Sequence, residues 1–162
     1  MPGSRRPRLA AVSLFLLTVG PAAAAGAGDA TLFAAWPSPS DTWARGYGAT
    51  LSSTWFQVVS FEAEAARIPG ETPDGNMTSF TGSALLAPPI GFLTPYGGLG
   101  IGLFRQTLGT LSDTGIVRAS ILGAKVKLGL LVVKVEYRKL GLSGTPLIPM
   151  DHRLSAGAGI TF

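Results

Sequence analysis

The last nine residues, LSAGAGITF (Leu154–Phe162), decide how the rest of the chain is read. Leu154, Ala156, Ala158, Ile160 and Phe162 alternate with Ser155, Gly157, Gly159 and Thr161. A period of two puts the first set on one face of a β-strand and the second on the other. A helix would not carry glycines in such alternation, and a solvated tail would not finish on phenylalanine. Two further stretches repeat the pattern. In VVSFEAEAAR (Val58–Arg67), Phe61, Ala63 and Ala65 oppose Ser60, Glu62 and Glu64. In LLVVKVEYRK (Leu130–Lys139), Val133, Val135 and Tyr137 oppose Lys134, Glu136 and Arg138. Lys125 and Lys127 likewise face away from Ala124, Val126 and Leu128.

At the other end, Arg5, Arg6 and Arg8 precede an apolar run from Leu9 to Gly20, followed by the small residues Ala22–Gly28. Basic start, short apolar core and an Ala-x-Ala site compose a secretory signal peptide, expected over residues 1–27. Its removal leaves residues 28–162 as one domain, with ten basic and nine acidic residues and a net charge of about +1. That balance offers no clustered basic surface for nucleic acid. There is no cysteine, hence no disulfide and no thiolate chemistry.

Charged residues are sparse at 14%, glycines number 22, and mean hydropathy is positive at +0.36. No apolar run after the signal approaches the roughly 20 residues of a membrane helix. An exported apolar chain without such a helix has one other way to satisfy its backbone in lipid, a closed β-barrel. Strands are expected at about 29–36, 43–52, 56–67, 77–87, 92–106, 116–127, 130–140 and 152–162, with Pro37 ending the first. Turns after the second, fourth and sixth read as tight; the segments after the third, fifth and seventh read as long loops. The fold class is therefore an all-β, eight-stranded, antiparallel up-and-down transmembrane barrel.

Three stretches, GYGATLSSTWFQVVSFEAEAAR, LTPYGGLGIGL and the VKLGLLVVKVEYRKLGL…RLSAGAGITF ending, resemble the eight-stranded outer-membrane barrels of Gram-negative bacteria. These are the OmpA-transmembrane-domain and OmpX-like group. The resemblance implies a bacterial outer-membrane location, a monomer with both termini in the periplasm, and partnership with outer-membrane lipid and lipopolysaccharide. It also implies that Leu154, Ile160 and Phe162 form the terminal signal read by the barrel-assembly machinery.

The polar faces then sort by side. Glu62, Glu64, Lys125, Lys127, Lys134, Glu136, Arg138 and Arg153 point into the lumen, where buried charge must be paired, so a salt-bridge network is expected. Eight strands enclose a lumen just wide enough for side chains, which argues against a wide pore. Arg45, Arg67, Arg105, Arg118 and Lys139 fall on the lipid-facing parity at the long-loop ends, a candidate collar for lipopolysaccharide phosphates. Gly98, Gly100 and Gly102 recur at period two inside a strand and are expected to relieve a crowded lumen. They are not a dinucleotide loop, which needs a helix behind it.

His152 is the one histidine, flanked by Asp151, with Ser155 on the opposite face. That order makes no Ser-His-acid relay and no metal site, so neither catalysis nor a cofactor is expected. The function that fits is structural or adhesive, exercised by the extracellular loops. Two other readings have distinct signatures. A soluble, lipocalin-like periplasmic barrel would turn apolar residues inward around an apolar ligand. A lipid A-modifying enzyme would assemble a catalytic relay at one rim.

Overall fold

The computed structural model describes residues 28–39, 43–72 and 74–162; the expected signal peptide lies outside them. Eight antiparallel strands follow one another in chain order and close on themselves. They are β1 (Gly28–Ser38), β2 (Gly46–Trp55), β3 (Val59–Pro69), β4 (Gly75–Leu86), β5 (Leu93–Leu108), β6 (Leu111–Leu128), β7 (Leu131–Leu142) and β8 (His152–Thr161).

Closure is made by β1 against β8, in register from Asp29↔Thr161 to Ser38↔His152. The final residue finishes it: Gly28 N–H donates to the Phe162 carbonyl (2.7 Å), and Phe162 N–H donates to the Gly28 carbonyl (2.9 Å). The alternating ending of the chain is thus the closing strand of the barrel. Pro37 does not stop β1 at residue 36 as expected. The β1–β2 ladder ends at Ala35↔Gly46, and beyond it β1 pairs with β8 alone. A proline is tolerated where a strand has lost one neighbour.

The expected faces are the observed ones. Leu32 (72% exposed), Leu99 (68%) and Leu122 (68%) cover the outside, while Glu136 and Arg138 are 1% exposed inside. Aromatic side chains cluster at both margins of this apolar belt, Trp36, Tyr47 and Tyr137 at one, Trp55, Phe61, Phe92 and Phe162 at the other. Gly28, where the described chain begins, and Phe162 share an end with the turns at residues 56–58, 87–92 and 129–130.

One connection departs from expectation. Rather than a long loop, β5 and β6 extend to Leu108↔Leu111 and close over Gly109–Thr110, with Gly109 at φ 60°. That left-handed backbone suits glycine. Because the β6–β7 ladder ends at Val117↔Leu142, the β5–β6 hairpin stands proud of the rim on that side.

The glycines of β5 also act differently from expectation. A Cβ on Gly98 or Gly102 would run into the carbonyl oxygens of Ala84 or Phe80 on β4, not into lumenal side chains. They permit the close approach of β4 and β5; Gly100, whose Cβ would meet the Ser83 hydroxyl, alone relieves a side chain. Gly102→Ala should therefore cost about 1–3 kcal/mol of overpacking in a urea titration of the refolded barrel. Gly82→Ala on the outer face of β4, whose Cβ would stand 4.0 Å from the nearest atom, should stay within about 0.5 kcal/mol of wild type.

Candidate functional site

Three regions carry the polar chemistry: a charged layer across the lumen, an apolar stopper at the loop end, and the outer wall below that rim.

The charged layer follows from the two-residue period of β3, β7 and β8. Alternate residues of each strand point inward, which places Glu62 and Glu64, then Lys134, Glu136 and Arg138, then Arg153, at one level. Lys134 Nζ contacts Glu62 at 2.9 Å and Glu136 at 3.6 Å. Arg138 is central: its guanidinium reaches Glu62 (2.6 Å), Glu64 (3.1 Å) and Glu136. Arg153 Nη2 donates to both oxygens of Glu64, at 2.8 and 2.7 Å, and its guanidinium lies 5.2 Å from the Phe33 ring centre. Tyr96 donates its hydroxyl to Glu136 at 2.9 Å. Three carboxylates thus meet three cations. Glu62, Glu64 and Glu136 lie close enough to share a metal ion, but their oxygens are already committed to those cations.

Lys125 and Lys127 belong to a second group. Both pair with Asp29, Lys125 at 2.5 Å and Lys127 at 3.0 Å, and Thr161 donates to the same carboxylate at 2.6 Å. Asp29 escaped the sequence reading because it stands alone at the head of an otherwise uncharged strand. It ties β1 across the lumen to β6, next to the seam. Between the two charged groups lies a void of about 10 Å³, lined by Thr31, Thr50, Ser60 and Tyr96 among others, room for about one water. A passage for solutes is closed at this level among the described residues.

The stopper was not foreseen. The segment between β7 and β8 folds back into the mouth, where Ile148 and Met150 pack with Trp43, Ile68, Met77 and Phe104. Gln106 on β5 fastens it as a two-bond clamp: its Nε2 donates to the Ile148 carbonyl (2.7 Å), and Ile148 N–H donates to its Oε1 (3.2 Å). Trp43 Nε1 donates to the Pro149 carbonyl at 3.0 Å. The signal available in the sequence was the apolar run Leu147–Met150 within a stretch read as an exposed loop.

On the outer wall, Arg67, Arg105, Arg118 and Lys139 point outward near the loop end of their strands, and Arg45 immediately precedes β2. Arg67 and Arg105 flank Thr78 in one cross-strand row. None of the five forms an ion pair among the described residues. Leu154, Ile160 and Phe162 share the exposed face of β8. His152 also faces outward, its ring 5.6 Å from that of Tyr137, whereas Ser155 is buried in the lumen and donates to the Glu136 carbonyl at 3.4 Å. No hydrolytic relay can form across the wall of a barrel.

A charged lumen inside a wall of exposed apolar side chains is the inverse of a lipocalin. The chain has the fold of the small outer-membrane barrels. The N-terminal β-barrel domain of Pseudomonas aeruginosa OprF superimposes with a TM-score of 0.59 at 17% identity, over 85% of this chain and 100% of that one. Ail, the attachment invasion locus protein of Yersinia pestis, gives 0.59 at 16% identity, over 86% and 100%. Neisserial surface protein A gives 0.58 at 18%, over 84% and 94%. At such identities the likeness is one of fold. No protein-family model and no curated protein sequence matches the chain.

Two predictions follow from the lumen. Glu64→Ala strips Arg153 of its partner and should cost about 3–5 kcal/mol in urea unfolding, the penalty of an uncompensated buried charge. Gln106→Ala should leave the barrel intact but cost the loop about 1–3 kcal/mol of anchoring. Limited proteolysis should then cut within residues 143–151 faster than in wild type, with unchanged barrel mobility on unboiled gels.

Proposed function

We propose that this protein is a small, monomeric, integral barrel of the bacterial outer membrane, exported with a cleaved signal peptide over residues 1–27. Its role is structural or one of surface interaction through the loop end, without a wide pore and without enzymatic activity. The observation that carries the reading is the polarity of the wall: exposed Leu, Ile, Val and Phe outside, paired charge inside. Only a non-aqueous surrounding makes that distribution favourable.

Three partners accompany this reading. Leu154, Ile160 and Phe162 serve as the strand signal for the barrel-assembly machinery, supported by their common outward face on the closing strand. Lipid of the outer leaflet surrounds the apolar belt. Arg45, Arg67, Arg105, Arg118 and Lys139 form a collar toward the phosphates of lipopolysaccharide, supported by their position at the loop end and their lack of ion pairs among the described residues. The protruding β5–β6 hairpin and the loops beside it are the surface left for other proteins or cells.

The deciding experiment folds the mature protein into detergent and runs it on SDS gels with and without boiling. The unboiled barrel should migrate away from the boiled chain, and the expressed protein should fractionate with the outer membrane. Liposomes carrying it should not swell in sugar solutions. A protein that stays soluble without detergent and shows no shift on boiling would refute the membrane reading.

A further inference from the structure

We propose that Arg118, Ser120, Lys139 and Gly141 form a phosphate-binding tile on the outer wall that holds a phosphorylated lipid of the outer leaflet. The inference rests on the outer-membrane reading and narrows its collar to one site.

The β6–β7 register sets Arg118 opposite Gly141 and Ser120 opposite Lys139. All four lie on the outer face and make the corners of one quadrilateral. The two cations occupy one diagonal, and a hydroxyl and a missing side chain occupy the other. Diagonal neighbours in an antiparallel pair stand about 7–8 Å apart, within reach of long side chains. Guanidinium and ammonium can therefore converge on a single anion at the centre, with the Ser120 hydroxyl as a further donor. A forked guanidinium matches two oxygens of a phosphate, and an ammonium supplies a compact second charge.

Gly141 opens the site. Its backbone does not need glycine, since φ is not in the left-handed region, and a Cβ there would find only the Arg118 carbonyl, 4.0 Å away. The space above it joins a concavity of about 520 Å³ that includes Leu99 and Ile101 on the neighbouring β5. Leu99 and Ile101 are largely exposed, so the floor leading away from the two cations is apolar. A soluble anion would cover the cations and leave that floor bare. A lipid with a phosphate and acyl chains covers both.

Charge accounting points the same way. The five inward cations, Lys125, Lys127, Lys134, Arg138 and Arg153, each have a carboxylate partner. Arg118 and Lys139 have none among the described residues, although they sit at the edge of the apolar belt. A lipid-facing cation is costly at mid-membrane and less so near the interface, and an anion beside it removes the remainder.

The test uses the mature barrel folded in dodecyl maltoside, a phosphate-free detergent, and counts bound lipid by native mass spectrometry. The probes are lipid A, the same lipid A dephosphorylated, and inorganic phosphate. Wild type should retain lipid A and not its dephosphorylated form. Gly141→Leu, which fills the tile without touching its charges, should weaken retention about tenfold or more, as should Arg118→Gln with Lys139→Gln. Leu51→Ala, on the outer face of β2 and away from the tile, should retain lipid A as wild type does, and excess inorganic phosphate should not displace it. Equal retention by the tile variants, or equal retention of the dephosphorylated lipid, overturns the site. Displacement by inorganic phosphate overturns the lipid assignment. Boiled and unboiled gels of each variant separate loss of the tile from loss of the barrel. If Gly141→Leu does not fold, the double glutamine variant decides. A wild-type protein that shows no shift on boiling removes the membrane reading, and the tile with it.

Discussion

A strand edge left open would expose a row of unpaired backbone N–H and C=O groups, and the seam between β1 and β8 is where this chain removes its last edges. Without the ladder from Asp29↔Thr161 to Ser38↔His152, two strand edges would be left unpaired. The ends of the described chain therefore share one short stretch of wall, and Gly28 and Phe162 exchange both of their hydrogen bonds. The seam is reinforced from inside. Asp29 accepts from Thr161 on β8 and pairs with Lys125 and Lys127 on β6, so one carboxylate joins the first strand to its neighbour and to a strand across the lumen.

Closure at this radius dictates the rest of the interior. Eight strands leave a lumen of side-chain width, and the two-residue period sends every second residue into it. Apolar inward residues could have filled it, but the chain places six charged groups at one level and an apolar stopper above them. All of them but Arg153 contact two or more charged partners, with Arg138 bound to three carboxylates. A network of that kind fixes the relative heights of β3, β7 and β8, since a slip of one residue would turn every member onto the apolar outer face.

Much of this was legible in the residues because period two is a strong signal when one face holds all the charge. The inward face of the eight lumenal charges and the outward face of Arg67, Arg105, Arg118 and Lys139 follow the alternation of VVSFEAEAAR, LLVVKVEYRK and the strands beside them, whereas Arg45 lies ahead of β2 and has no strand face. Features set by tertiary contact were harder to see. Asp29 has no alternating charged neighbour to mark it, and its role needs Lys125 brought across 96 residues of chain, with Lys127 beside it. The TLGTLSDTG segment looks like a polar loop, yet Gly109 permits a two-residue turn that continues both strands. Gly98 and Gly102 sit where lumenal crowding would explain them equally well; only the nearness of the β4 carbonyls separates the two causes. Ile148 and Met150 carry no periodicity at all, and their burial depends on Gln106 and Trp43 from distant strands.

The stopper has a consequence for divergence among related sequences. Loops on barrels of this kind are ordinarily the freest part of the chain, and length is a fair guide to how freely they change. Here the residues between β7 and β8, Ser143–Asp151, make the longest connection, yet they are fastened at Ile148 and Pro149 and supply part of the core at the mouth. An insertion there would unseat the stopper, whereas the described residues between β3 and β4, Gly70–Thr72 and Asp74, are not part of the core at the mouth. The longest loop of this barrel thus has little room to drift.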